Sequence, residues 1–179
     1  MTDLDDRTAL ARSIYEVSSL RGSFTLRSGV TADRYFDKYR FEAVPELLAA
    51  IARAMAPMIP SGVEALAGLE MGGIPLVTAL SRETGIPALF VRKQAKEYGT
   101  CRLAEGGEIS GRSLLVVEDV VTSGGQILLS TEDLRRLGAT VERAVCVIDR
   151  ESGGREKLAE AGIALDALFR MSDLEKAGA

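Results

Sequence analysis

The chain of 179 residues contains no histidine and no tryptophan, two cysteines and few aromatic residues, 5% in all. Each shortage excludes some chemistry. Without histidine the usual neutral-pH base is missing and a Ser-His-Asp relay cannot be assembled, so proton transfer falls to carboxylate, lysine, tyrosine or the substrate itself. The cysteines, Cys101 and Cys146, are too far apart for a CxxC motif, and with no histidine they cannot complete a common zinc site. They read as plain thiols of a reducing compartment. Long apolar runs are also lacking: no stretch has the length of a membrane span, and the opening MTDLDDRTALARSIYEV is acidic where a secretory leader would be apolar. A cytoplasmic protein with no membrane partner is expected. Positive charge is in deficit too, with 22 Lys and Arg against 26 Asp and Glu for a net charge of −4. That balance speaks against a surface built to grip nucleic acid, while leaving room for a local basic patch that binds a small phosphorylated ligand.

What is present is an ample apolar content, 46%, enough for one core, and no internal repeat or low-complexity tract. A single domain over 1–179 is expected. Leu4, Leu10, Ile14 and Val17 recur at near-helical spacing and predict a first helix that breaks at Gly22. FTLRSGVTADRYFDKYRFE reads as two short strands about a Ser-Gly turn, and VPELLAAIARAMAPMI as a helix with Pro45 in its first turn. From there strands and helices alternate: VEALAGLEMGG, IPLVTALSRETG, IPALFVRK, then SLLVVED, GGQILLSTEDLRRLG, TVERAVCVID and GGREKLAEAG. Continuous apolar strands alternating with helices predict an α/β fold, a central mostly parallel sheet flanked by helices on both faces. The stretch from Arg92 to Gly111 is the one long segment without a periodic pattern.

In such sheets ligands bind beyond the carboxyl ends of the strands. At one of these ends Glu118 and Asp119 follow four apolar residues and precede Thr122, Ser123, Gly124 and Gly125. Small residues at a strand-to-helix turn offer backbone N–H groups and hydroxyls to a phosphate at the positive end of a helix dipole. The loop has neither the GK[ST] of a Walker A motif nor the GxGxxG of a dinucleotide site. Carboxylates beside a phosphate would repel it, so they must face another part of the same ligand, such as sugar hydroxyls or a magnesium ion. A ribose phosphate meets both demands.

VVEDVVTSGG, residues 116–125, resembles the signature by which type I phosphoribosyltransferases hold 5-phosphoribosyl 1-diphosphate (PRPP). Four further segments resemble the orotate phosphoribosyltransferase family. VRKQAKEYGT is similar to its mobile loop, with Arg92, Lys93 and Lys96 at the basic positions and Tyr98 where many bacterial members carry histidine. FTLRSGVTADRYFDKYR is similar to its orotate-binding segment, with Arg27 where a lysine is common and Tyr35 and Phe36 as the aromatic pair; VIDRESGG supplies Arg150. AGLEMGGIPL resembles the pyrophosphate loop, with Met71 and Gly72 at its tip and no lysine where some members place one, at Gly72.

The resemblance implies the type I phosphoribosyltransferase fold, with an N-terminal hood over about 1–44 and a core over about 45–179. It implies transfer of ribosyl 5-phosphate from PRPP to orotate, yielding orotidine 5-monophosphate and pyrophosphate in pyrimidine synthesis. Arg92, Lys93, Lys96, Tyr98, Met71, Gly72 and the run Glu118, Asp119, Val120, Val121, Thr122, Ser123, Gly124, Gly125, Gln126 would hold PRPP. Of these, Asp119, Glu118, Lys96, Arg92 and Tyr98 would carry the catalysis. Arg27, Tyr35, Phe36, Thr122 and Arg150 would hold orotate. Mg²⁺ would be bound mainly by PRPP oxygens, with no direct protein ligand. A homodimer in which the loop 92–111 completes the neighbouring site is implied as well. Two other readings share the PRPP cradle, a transferase for another base and a PRPP-sensing regulator that binds nucleic acid; the anion-matching Arg27 and Arg150 disfavour the first, the acidic balance the second.

Overall fold

In the computed structural model the described residues are 4–25, 29–95 and 102–179. Helix α1 (Arg7–Ser18) starts at Asp6, whose carboxylate accepts the Ala9 N–H at 2.7 Å. It gives way at once to strand β1 (Ser19–Thr25), so the expected break at Gly22 does not occur. Gly22 instead lies within β1, where the pairing with β2 (Thr31–Phe36) shifts register between Arg21 and Phe24. There a glycine suits a bulge that brings the Phe24 ring within 3.2 Å of where a Cβ would stand. β1 and β2 form an antiparallel ribbon separate from the main sheet.

A four-residue helix, α2 (Tyr39–Glu42), takes the end of the segment that the sequence reads as strand. Phe41, fully buried, pins it to the core. Helix α3 (Pro45–Met55) begins with Pro45 in its first turn, where the missing N–H costs nothing. Then come β3 (Ala65–Leu69), α4 (Gly73–Thr84), β4 (Ala88–Val91), β5 (Ala104–Glu105), β6 (Ser113–Val121), α5 (Gly125–Arg136), β7 (Thr140–Asp149), α6 (Gly154–Glu160), β8 (Ala164–Arg170) and α7 (Met171–Ala177). Gly85 closes α4 in the left-handed region, at φ 74°.

The six strands lie in the order β5-β4-β3-β6-β7-β8, parallel except for β5, which pairs antiparallel to β4. β5 falls in the segment that shows no periodicity in sequence. Two residues are too few to show alternation, yet Leu103, Ala104 and Ile109 are buried and tie that edge to the core. Along the central strands burial alternates between two clusters. Leu66, Leu115 and Val117 face α1, α3, α4 and α7, whereas Ala67, Leu114 and Val116 face α5 and α6. Both faces are covered, as a parallel sheet requires. Leu10 and Ile14 of α1 share the first cluster with Ile51 of α3 and Leu174 of α7, so α1 is integral to the core and the β1–β2 ribbon is the part that stands apart. Among the described residues no helix is long and apolar enough to cross a membrane.

Candidate active site

Strands β4, β3 and β6 are adjacent and parallel, so their carboxyl ends open on one rim. A cavity of about 200 Å³ lies there, lined by Lys38, Glu70, Lys93, Glu118, Thr122 and Gly124 among others. A larger hollow of about 450 Å³ flanks the β8 edge, but two of its arginines are already committed: Arg7 donates to the Leu168 carbonyl and Arg155 to that of Leu165. They cap an open sheet edge.

At the rim, β6 continues past its two carboxylates to Val121, so Glu118 and Asp119 sit inside the strand and not at its mouth. The turn to α5 runs through exposed Thr122 and Ser123 to Gly124, which has φ 71° and caps the helix without a side-chain hydrogen bond. A Cβ on Gly124 would meet Leu158 Cγ at 3.1 Å and the Gly154 carbonyl at 3.2 Å, so conformation and space both call for glycine. The first turn of α5 carries no acidic residue. Its orphan N–H groups are therefore free of a competing carboxylate and present a positive helix end to the cavity.

Asp119 is fully buried and forms an ion pair with Lys38, whose Nζ is 2.7 Å from Oδ2 and 3.0 Å from Oδ1. Its Oδ1 also accepts the Val120 N–H at 2.6 Å. The carboxylate is pressed beneath the β3–α4 turn: a Cβ at Gly72 would lie 1.8 Å from Asp119 Oδ2. Any side chain at 72 would displace the acid, which explains on physical grounds why glycine occupies that position. Glu118, 7% exposed, accepts the Asp119 N–H at 3.2 Å, and Glu42 of α2 is equally buried nearby.

These acids share little charge among them. Burial, then the charge and hydrogen bond of Asp119, push Glu42 up to about 9. Burial and the same neighbour hold Glu118 well above its ordinary value. For Asp119 burial acts upward, but the hydrogen bond from Glu118 and the bond and charge of Lys38 outweigh it, and its pKa is lowered. Burial would lower Lys38, yet its bond and attraction to Asp119 leave it raised. At neutral pH the cluster is thus an Asp119–Lys38 ion pair beside a protonated Glu42, with Glu118 held toward its protonated form.

Of the other sequence-predicted residues, Lys93, Met71, Val120, Val121, Thr122 and Gln126 line the cavity with Glu118. The Lys93 N–H is fixed by Glu70 Oε1 at 2.6 Å. Arg92 does not line it; its guanidinium pairs with Glu105 of β5 at 3.6 Å. The aromatic pair is split, because successive strand residues point to opposite faces. Tyr35 is 45% exposed and stacks on Phe24 with ring centroids 5.5 Å apart, whereas Phe36 packs against the core. Arg150 is exposed at the end of β7, its N–H bonded to the Val121 carbonyl at 2.8 Å, one strand away from the cavity. Arg27, Lys96, Tyr98 and Cys101 lie outside the described residues. Cys146 is buried, and burial pushes its thiol up, so it is inert. Lys38, Tyr39, Glu42 and Glu70 are site residues that sequence reasoning missed. The charged run DKYRFE offered a signal in the i, i+4 spacing of Lys38 and Glu42, but only the fold shows that both turn inward.

Comparison with known proteins places this geometry. Residues 38–164 match the family model of the phosphoribosyl transferase domain. The orotate phosphoribosyltransferase of a Nocardioides species is 49% identical over 94% of each chain, and that of Halobacterium salinarum 45% identical over 97% of this chain and 98% of its own. The chain belongs to the orotate phosphoribosyltransferase family. The solved orotate phosphoribosyltransferase of Mycobacterium tuberculosis, in complex with PRPP, superposes with a TM-score of 0.82 at 30% identity, covering 95% of this chain and 99% of that one. As an orotate phosphoribosyltransferase the chain is a pentosyltransferase with the type I phosphoribosyltransferase fold. It transfers the ribosyl 5-phosphate of PRPP to orotate and releases pyrophosphate.

Proposed function

We propose that the cavity between β3, β4 and β6 is where this orotate phosphoribosyltransferase holds PRPP. The observation that carries the reading is the meeting, in one cavity, of Glu118 and of Lys38, the partner of buried Asp119, with the open first turn of α5. The 5-phosphate takes the N–H groups and hydroxyls of Thr122, Ser123, Gly124, Gly125 and Gln126, with Val120 and Val121 as the floor. The ribose lies over Glu118 and Asp119. Its diphosphate extends toward Met71, Gly72 and Lys93, the side on which β3 and β4 stand.

As the C1–O bond to pyrophosphate lengthens, its electron pair leaves with the diphosphate and positive charge grows on the ribose ring. Orotate N1 then donates its own pair to C1. Orotate reacts as an anion, so no histidine is needed to take a proton from it. Asp119, ionised, favours the developing ring cation, and Glu118 donates or accepts at a ribose hydroxyl. Arg92, Lys96 and Tyr98 meet the departing pyrophosphate. Arg27 and Arg150 balance the orotate anion beside Thr122, with Tyr35 as an aromatic wall and Phe36 supporting it from the core.

Mg²⁺ fits this donor set: the acids facing the cavity are hard oxygen ligands. Among the described residues no group of three or more acidic, histidine or cysteine side chains is gathered to hold a metal alone. An ion held mostly by PRPP oxygens, near the acids of β6, would suit that arrangement and would neutralise the leaving group. The chain functions as one domain in the cytoplasm, with the ribbon as a hood, and as a two-fold homodimer whose loop 92–111 completes the partner site.

The reading is tested by following orotate absorbance with PRPP and Mg²⁺, beside adenine, hypoxanthine and uracil; turnover of another base and not orotate would overturn it. Mixing Lys96→Ala with Asp119→Ala protein tests the shared site. Random exchange should restore about a quarter of wild-type activity, and mixed dimers without recovery would place each loop over its own site.

A further inference from the structure

Lys38 is the residue whose position the proposed division of roles leaves unexplained. It stands directly before α2, which Phe41 anchors in the core, and it lines the cavity. Its side chain remains 34% exposed although it pairs with a fully buried acid. An ammonium has three donors, and Asp119 satisfies at most two of them. At least one donor direction is left for the cavity.

The ligand supplies the other half of the problem. PRPP carries a phosphate and a diphosphate, and the described cations lining the cavity are Lys38 and Lys93. Glu70 already accepts the Lys93 backbone N–H, adding an acid to the same wall. The β3–α4 turn cannot contribute a charge at Gly72, because Asp119 fills the space a side chain would need. With the 5-phosphate at the α5 turn beyond β6, the diphosphate lies on the β3 side, where Lys38 meets Asp119 under Gly72.

We propose that Lys38 is a further substrate-binding residue of this site, holding Asp119 in the empty enzyme and bridging Asp119 to the diphosphate of PRPP in the loaded one. The proposal rests on the reading of the cavity as the PRPP site. It makes one lysine serve two anions in turn: it keeps a buried carboxylate from standing alone before the substrate arrives, and it places a positive charge between that carboxylate and the leaving group afterwards.

The test is calorimetric titration of PRPP, inorganic pyrophosphate and ribose 5-phosphate, all with Mg²⁺, into wild type, Lys38→Met and Lys38→Arg. Lys38→Met should weaken PRPP and pyrophosphate by about tenfold or more and ribose 5-phosphate by less than about twofold, with Lys38→Arg recovering most of the loss. Because Lys38→Met strands a buried charge, the same titrations compare Asp119→Asn with the Lys38→Met/Asp119→Asn double variant, in which that charge is gone. A tenfold difference in pyrophosphate affinity between these two, on the order of one charge-assisted bond, supports the assignment. Equal affinity, or an equal loss for ribose 5-phosphate, overturns it. If wild type binds PRPP and turns over orotate while the lysine variants bind pyrophosphate normally, Lys38 alone is misassigned; if wild type binds no PRPP, the reading of the cavity fails first.

Discussion

Strands β6 and β7 are neighbours, and they end in nearly the same words: EDVVTSGG on one, IDRESGG on the other. In both the second-last glycine takes a left-handed conformation, φ 71° at Gly124 and 80° at Gly153, and the next glycine opens a helix. The two turns nevertheless face different tasks. Beside the first, buried Asp119 is held by a lysine from a distant part of the chain that itself lines a cavity with Glu118. In the second, Asp149 is consumed locally, accepting the Glu151 N–H at 2.9 Å and facing Arg155 at 3.5 Å. Helix α6 carries Glu156 in its first turn, which opposes an incoming anion; α5 carries none. The second turn is packed against the first: a Cβ on Gly154 would lie 2.4 Å from the Thr122 carbonyl. One loop is the proposed cradle, and its twin packs behind it.

The largest effect that separates them should come from the acids. Asp119→Asn should lower kcat by roughly a hundredfold or more, with PRPP affinity far less changed, whereas Asp149→Asn should alter kcat by less than about threefold. Steady-state orotate absorbance kinetics measure both, and equal losses would dissolve the distinction. Base choice comes next. Arg150, at the end of β7, should cost about 2 kcal/mol in orotate kcat/KM when replaced by alanine, with little change for PRPP. Matching losses for both substrates would assign Arg150 to the fold.

Glycines sharpen the comparison further. Gly154→Ala forces a methyl into the cradle backbone and should cost roughly 2–3 kcal/mol of stability together with PRPP affinity. Gly153→Ala meets no atom within 4 Å and is opposed by its positive φ alone, so about 1 kcal/mol is expected, without loss of PRPP binding. Chemical denaturation and PRPP titration of the pair would show whether the second turn supports the first.

The smallest expected effect concerns pH. Glu42 has its pKa raised from 4.5 to about 9 in the folded chain. Across that window the folded state binds more protons than the unfolded one, so the contribution of Glu42 is full below 4.5 and is lost as pH rises through about 9. Glu118 is raised with the same sign. Asp119, held low, acts oppositely and on the acid side. Glu42→Gln removes one titration and should raise Tm relative to wild type by roughly 3 °C or more at pH 9, with the gap closing at pH 5. A gap that does not depend on pH would mean that Glu42 is charged in the fold.

Local sequence determined the alternation of strands and helices, because the central strands carry apolar runs and most helices have an apolar face, with Pro45 opening α3 and Gly85 closing α4. It also singled out the turn after β6, since small residues and glycines at a strand-to-helix turn have few physical uses beside two carboxylates; that this turn is a phosphate cradle is the proposal made above. It did not show β5, too short for a period, nor α2, whose charged letters continue the strand pattern before it. Above all it did not show what holds the acid before each of the two Ser-Gly-Gly turns. That Asp119 would be buried as an ion pair beside a cavity depended on Lys38 arriving from 81 residues away and on Gly72 closing over it. Contacts between residues so distant in the chain leave no period or spacing in the sequence; they exist only once the sheet has set its strands side by side.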